Sequence, residues 1–253
     1  RGLGDVYKRQ IYGSCAIDNN GKGLYSTGMG HGDAMHLTKF SPDMPGLQVW
    51  DCHENKRDGS SFRDAATGKV LFQVKSGIDV GRCMAADIDP TTPGVEMWSW
   101  ESKGLRNIKG EVVNPDIKTF SVNMAVWWDG DLLRELLNKN VVSKYDWEAG
   151  VCKPLVTFEG VVSNNGTKAT PCLQGDILGD WREEVLLRTE DNTALRLYVS
   201  PIATDYRFHT FLEDPVYRIS IATQNVAYNQ PTQPGFYFGP DLKGIFRGYE
   251  FKK

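Results

Sequence analysis

The chain has 253 residues, 29 Lys and Arg against 32 Asp and Glu, and a formal net charge of −3. With 40% hydrophobic, 11% aromatic and 24% charged residues, it is a folded globular chain by composition and not a disordered tail or low-complexity spacer. The slight acidity argues against a partner held by a general excess of basic charge, such as nucleic acid, and no apolar run approaches the ~20 residues of a bilayer-spanning helix.

Length allows one large domain or two small ones, while 26 Gly, 12 Pro and 7 Trp belong to a chain that folds back often. Cys15, Cys52, Cys83, Cys152 and Cys172 are odd in number and contain no Cys-x-x-Cys pair. A zinc knuckle, a thioredoxin-like motif and a dense disulfide scaffold are thereby disfavoured, and one or two disulfides stay open. Residues 1–10, RGLGDVYKRQ, lack the apolar centre of a signal peptide and differ in character from the rest of the chain. Residues 1–11 are read as a non-native leader before one unit over 12–253.

In chain order, the first informative stretch is His31-Gly32-Asp33-Ala34-Met35-His36, succeeded at a distance by Asp51-Cys52-His53-Glu54. If the intervening residues form a hairpin, His31, Asp33 and Glu54 can face one ion. Imidazole with carboxylates would also suit zinc or manganese, so spacing leaves the metal open. Residues 62–72 predict strand, turn, strand, with Thr67-Gly68 at the reversal. The segments PGLQVW (45–50) and PGVEMW (93–98) superimpose at an offset of 48, and a third loop-then-strand copy over 176–185 places Glu184 88 residues beyond Glu96. Repeats of ~40 to 50 residues with four short strands are those of β-propeller blades. The fold is read as all-β with room for about five or six blades, a β-sandwich being the alternative.

The repeated loops are acidic. Asp87 and Asp89 before Glu96, and Asp176 and Asp180 before Glu184, gather the hard oxygen donors that calcium takes; solvated turn carboxylates are the plainer reading. Residues 131–137, DLLRELL, show the clearest helical spacing. Asn165-Gly166-Thr167-Lys168 is a strong hairpin turn signal, a formal glycosylation acceptor, and a loop that presents Lys168 to a sugar. Residues 195–200 and 216–221 predict strands. Arg82 after Gly81, and Tyr228 in an amide-rich run, are ambiguous singly.

GHGDAMH (30–36), SFRDAATGKVLF (61–72), DVGRCMAADIDP (79–90), WWDGDLLRELL (127–137), NGTKATPCLQGDILGDWREEVLLRTED (165–191) and DPVYRISIATQNVAYNQP (214–231) together resemble polysaccharide lyase family 11, the rhamnogalacturonan lyases. The resemblance covers nearly everything after about Tyr12. It implies an eight-bladed β-propeller, of which this shorter chain would hold an incomplete set of blades. It also implies calcium-assisted β-elimination of the rhamnose and galacturonate backbone of rhamnogalacturonan I, in pectin, by a monomeric enzyme that is extracellular or at the cell surface. Carried over, His31, Asp33 and Glu54 look like active-site calcium ligands. Asp87, Asp89, Glu96, Asp176, Asp180 and Glu184 look like blade calcium ligands. Arg82 and Lys168 look catalytic, with Lys168 the candidate base, while Asn165, Gly166, Thr167 and Tyr228 look like sugar contacts. Lys39, Ser41 and Gln48 stand where the next copy has Asp87, Asp89 and Glu96, so that copy is expected to hold no ion. The reading from another class is a calcium-stabilised propeller that binds polysaccharide without cutting it.

Overall fold

Short alternating runs cut by turn formers give 19 strands among the described residues of the computed structural model, which are 10–11, 13–100, 104–224 and 230–242. All pair antiparallel. Strands β1 (Gln10–Ile11), β2 (Gly13–Ile17) and β3 (Gly23–Gly30) form a three-stranded sheet. Three four-stranded meanders come next in sequence order. They are β4 (Met35–Thr38), β5 (Gln48–Cys52), β6 (Ser60–Asp64) and β7 (Val70–Val74); β8 (Cys83–Ala86), β9 (Glu96–Ser99), β10 (Leu105–Arg106) and β11 (Val112–Asn114); then β12 (Met124–Val126), β13 (Glu135–Asn138), β14 (Val141–Asp146) and β15 (Val151–Thr157). In the last sheet β18 (Glu184–Thr189) pairs with β16 (Val161–Val162) and β17 (Leu173–Gly175), and also with β19 (Leu195–Tyr198). No helix among the described residues is long and apolar enough to cross a membrane.

The predicted reversal at Thr67-Gly68 is the β6–β7 turn. Asp64 Oδ1 accepts from the Thr67 backbone N–H at 2.8 Å, and Gly68 takes φ 75°, with Tyr25 so close that a Cβ would meet its ring at 2.4 Å. Two expectations are corrected. Residues 131–137 are not helical: Glu135 opens β13, paired with Val126, and Asp131 Oδ1 accepts from the Leu133 N–H at 2.8 Å, a side-chain turn that competes with a helix. Residues 216–221 are not a strand but lie in helix α1 (Pro215–Thr223). Asp214 caps it by accepting from the Val216 and Tyr217 N–H groups, and Pro215 occupies the first turn, where a missing N–H costs nothing. Six residues cannot separate the two periods; the Asp-Pro start does.

Successive sheets pack face to face. Trp50 and Phe62 meet Cys83 and Met97; Met84 and Trp98 meet Leu136 and Tyr145; Met124 and Leu137 meet Val185 and Leu187. The repeated tryptophans also reach across, Trp50 Nε1 donating to Trp98 O at 3.2 Å and Trp98 Nε1 to Ser121 O at 2.9 Å. A backbone bond recurs at each step: Val95 N to Phe40 O, Arg134 N to Asp87 O, and Glu183 N to Trp127 O, at 2.8 to 2.9 Å. The segment 230–242 then runs along the inner strands. Thr38 Oγ1 donates to Pro234 O at 2.7 Å, Gln233 Nε2 to Ala85 O at 3.1 Å, and Arg134 Nη1 to Thr232 O at 3.0 Å. Phe236 and Phe238 fill an aromatic cluster with Trp127, Trp181, Phe211 and Tyr217.

His36 on β4 sits at this centre with no exposed surface. Its Nε2 lies 2.9 Å from Cys83 O and its Nδ1 3.3 Å from Gln233 Nε2, so the neutral ring donates from Nε2 and accepts at Nδ1. Burial pushes its pKa down to about 3. The unfolded ring binds a proton near 6.5, so between these values the unfolded chain holds the proton and stability is lost as pH falls. Relative to H36Q, the wild type should therefore lose urea midpoint as pH is lowered from about 7 to about 4, a comparison that cancels the buried carboxylates titrating in the opposite sense over the same range.

Candidate active site

The loop between β3 and β4 crosses the end of β5 at Gly32. A Cβ there would lie 1.8 Å from Cys52 O, so only glycine permits the approach. Glu54 N donates to His31 O at 2.9 Å, and the two loops bring His31 Nδ1 within 2.9 Å of Glu54 Oε1 and 3.9 Å of Asp33 Oδ1. The expected trio therefore converges, its ligand atoms all within 4.8 Å of one another. Asp33 Oδ1 is buried with no hydrogen-bond partner. Such an oxygen is costly unless something positive faces it, which suits a cation better than a surface turn.

Beneath Glu54 lies a buried polar network. Asp51 takes Arg63 Nη1 at 2.5 Å, Ser14 Oγ at 2.7 Å and Ser61 Oγ at 2.6 Å. His53 Nε2 lies 3.0 Å from Ser61 Oγ. The Ser, His and Asp here have the types of a nucleophilic triad, yet Ser61 and His53 have no exposed surface, so a substrate cannot reach them. Burial pushes the His53 pKa down, and the network fixes the strand end from which Glu54 projects.

Arg82 and Lys168 approach Asp33 from later sheets. Arg82, just before β8, is 5% exposed; its Nη1 lies 3.4 Å from Asp33 O and its Nη2 3.0 Å from Asn123 O. Burial lowers its pKa, without bringing a guanidinium near neutrality at ordinary pH. The Asn165-Gly166-Thr167-Lys168 turn is a single 3-10 turn entered through Asn165 at φ 58° and left through Ala169 at φ 49°. The bridge between Asn164 and Thr170 closes its base. It aims Lys168 Nζ at Asp33 Oδ2, 3.0 Å away, and at Gly81 O, 3.4 Å away. Tyr228 lies outside the described residues.

Two residues that no motif singled out hold this arrangement. Asn123 Nδ2 donates to Thr167 O at 3.1 Å while its carbonyl accepts from Arg82. Gln230 Nε2 donates to Asp33 O at 3.1 Å. A lone Asn or Gln carries no spacing signal; only the proximity of the two within this fold could have marked them.

The acidic repeats prove to be loop caps as well. Glu96 Oε2 accepts from Ile88 N and Asp89 N, and Glu184 Oε2 from Ile177 N and Leu178 N, all at 2.8 to 3.1 Å. Gln48 Oε1 does the same for Phe40 N at 3.1 Å. A further copy, hidden by the helical reading of 131–137, has Glu135 Oε2 accepting from Trp128 N and Asp129 N at 2.8 and 3.2 Å. Asp87 Oδ2 takes the Tyr237 hydroxyl at 2.6 Å, and Asp176 Oδ2 takes Thr210 Oγ1 at 2.8 Å. Asp87 Oδ1, Glu96 Oε1 and Asp176 Oδ1 are buried without a partner. Burial pushes the Asp87 and Glu96 pKa values well up, with the Asp87 carboxylate adding to the rise at Glu96, and raises that of Glu184 to about 7. Asp89 turns its Oδ1 to the Thr91 N–H and hydroxyl, and Asp180 pairs with Arg182. The other trio within 4.8 Å among the described residues is Asp129, Asp131 and Glu135; the 87/89/96 and 176/180/184 sets are not drawn that close.

Successive antiparallel sheets thus bring a His and carboxylate trio, a buried guanidinium and an amine together around one aspartate, Lys168 at its carboxylate and Arg82 at its backbone carbonyl. Residues 4–247 match rhamnogalacturonan lyase family 11, C-terminal domain, and the chain belongs to that family. Its relatives include the rhamnogalacturonan endolyase YesW of Bacillus subtilis, 53% identical over 94% of this chain and 38% of that protein. The rhamnogalacturonan exolyase YesX of the same organism is 48% identical over 95% of this chain and 42% of that protein. The crystal structure of YesW superimposes with a TM-score of 0.89, covering 93% of this chain and 40% of that one. The chain therefore spans about two fifths of the length of these relatives.

Gly32 offers a direct check on the site's geometry. Gly32→Ala should displace His31 and Asp33 and weaken whatever affinity the trio shows for an added divalent cation by about 10- to 100-fold, the usual effect of disturbing a ligand's support. Calorimetric titration reads the affinity, and an unchanged far-ultraviolet spectrum would show that the sheets survive.

Proposed function

We propose that this chain is part of a pectin-degrading lyase that cleaves rhamnogalacturonan I, and that its successive sheets are blades of a β-propeller carrying the reacting groups at one end. The observation that carries the reading is the convergence on Asp33: one carboxylate oxygen faces His31 and lacks a donor, and the other receives Lys168. Family membership supports the substrate class. Face-to-face packing of four-stranded meanders with a recurring inter-sheet bond supports the propeller.

The donor set fits calcium, through an imidazole and two carboxylates, one of which carries an orphaned oxygen. Calcium held by His31, Asp33 and Glu54 would neutralise the uronate carboxylate and so make the C5 proton acidic. Arg82 adds fixed positive charge from a site closed to water, where it stabilises the enolate-like charge that develops. Lys168, aimed at Asp33 from a strained turn, is the base that takes the C5 proton. The electron pair forms the C4–C5 double bond, the C4–O bond breaks, and the departing oxygen collects a proton. Thr167, whose carbonyl is fixed by Asn123, and the rest of that turn line the path of the sugar. The buried oxygens at Asp87, Glu96 and Asp176 fit structural calcium in the second and fourth acidic loops. A polymeric substrate supports a site of action outside the cell or at its surface, and a monomer suffices for the site described.

The test is ultraviolet absorbance of the unsaturated uronide released from rhamnogalacturonan. Absorbance should rise with the wild type and calcium and stop with EDTA. Lys168→Ala should lower turnover by about 10² to 10⁴ while retaining affinity for the polymer. Growth in absorbance that EDTA does not reduce would defeat the calcium role. Binding without any absorbance change from the wild type would instead favour a carbohydrate-binding module.

A further inference from the structure

We propose that Lys144 is a tethered counter-ion standing where a divalent cation would otherwise sit, so that Asp129, Asp131 and Glu135 form a latent metal site which the chain fills itself. This rests on reading the acidic loops as cation sites. The four loops share one construction, a Gln or Glu on the second strand of the meander, or on β18 of the last sheet, whose side-chain oxygen accepts from the loop's own N–H groups. They differ in what faces that residue from the next strand. Gln48 stands opposite Asp64. Extending each strand register by one pair puts Asn107 opposite Glu96, Lys144 opposite Glu135 and Val199 opposite Glu184.

Only the third loop therefore has a cation across the ladder, and the hydrogen bonding tracks that difference. Lys144 Nζ lies 2.9 Å from Glu135 Oε1 and 2.7 Å from Asp131 Oδ2, and it also pairs with Asp129 Oδ2. Glu135, itself without exposed surface, has both oxygens engaged, one by two backbone N–H groups and one by the ammonium. In the second and fourth loops, where a neutral residue faces the glutamate, Glu96 Oε1, Asp87 Oδ1 and Asp176 Oδ1 are left without donors. Carboxylates buried to this degree need a compensating charge. Lys144 provides it from a strand, at no cost in translational freedom and in a form no chelator removes. The first loop needs none, because Gln48 is neutral and Lys39 and Ser41 replace its acids.

Lys144→Met keeps the stem and removes the charge. Equilibrated with calcium chloride and counted by native mass spectrometry, this variant should carry one more calcium ion per chain than the wild type, and Asp131→Asn added to it should remove that ion. Its thermal midpoint should fall in EDTA and recover on adding calcium by more than the wild type's does. Lys144→Arg should keep the wild-type ion count. If Lys144→Met folds only with calcium present, preparing it in calcium preserves the count and itself supports the inference. An equal count in Lys144→Met and the wild type would overturn it. So would a wild type that loses an ion on Asp131→Asn alone. The underlying reading is tested separately, since Asp87→Asn and Asp176→Asn should each cost the wild type an ion. A wild type without those ions, together with a Lys144→Met that gains one, would sink the reading of the other loops and leave Lys144 in its role.

Discussion

The constraint on which the rest of this structure depends is the burial of a side-chain acceptor at the head of a strand in four successive sheets. At Gln48, Glu96, Glu135 and Glu184 the acceptor satisfies the N–H groups of the loop that precedes it. That loop is thereby held close enough for its carbonyl to accept from the following sheet, as Asp87 O does from Arg134 N and Trp127 O from Glu183 N. One local interaction thus sets both the shape of the loop and the spacing of the sheets. A hydrogen bond to a charged group contributes about 1.5 to 3 kcal/mol, while burying the ion costs several. Two such bonds roughly offset the burial of one oxygen, and the other oxygen then governs what further charge each loop requires.

The site grows from this scaffold without any element of its own. His31 and Asp33 precede β4, Glu54 comes after β5, Arg82 precedes β8, Asn123 precedes β12, and Lys168 precedes β17. These residues sit beside strands that the packing already holds side by side in space, so short loops suffice to gather distant sequence positions around Asp33. Asp33 is bound through its side chain and through its carbonyl, which accepts from both Arg82 and Gln230. Moving it would disturb partners drawn from three parts of the chain.

Much of the fold is legible in the sequence where periodicity and turn chemistry agree. The β6–β7 hairpin and β19 are examples, and the repeated PGxxxW segments locate β5 and β9. The errors fall where a short apolar run satisfies two periods at once. DLLRELL looks helical because its leucines recur at helical intervals, and that conceals Glu135 as a copy of the repeat. The residues after Asp214 look like a strand because six positions are too few to outweigh a cap. In the site, His31, Asp33, Glu54, Arg82 and Lys168 are legible through chemistry and resemblance together. Asn123 and Gln230 are not, because an amide that fixes two backbones has no signature until those backbones are neighbours.

The segment 230–242 has a consequence for how the protein comes to exist. Gln233 and Thr232 close the inner ends of sheets made from residues some 100 to 200 positions earlier, and Gln230, which steadies Asp33, lies on the same stretch. During synthesis the sheets can form in order as they emerge, each against the last. Their centre stays open to water until this late segment arrives, so His36 remains hydrated and Asp33 lacks one of its supports. Assembly of this cluster thereby waits for residues 230–242, and a nascent chain holds the parts of the cluster before it holds the cluster.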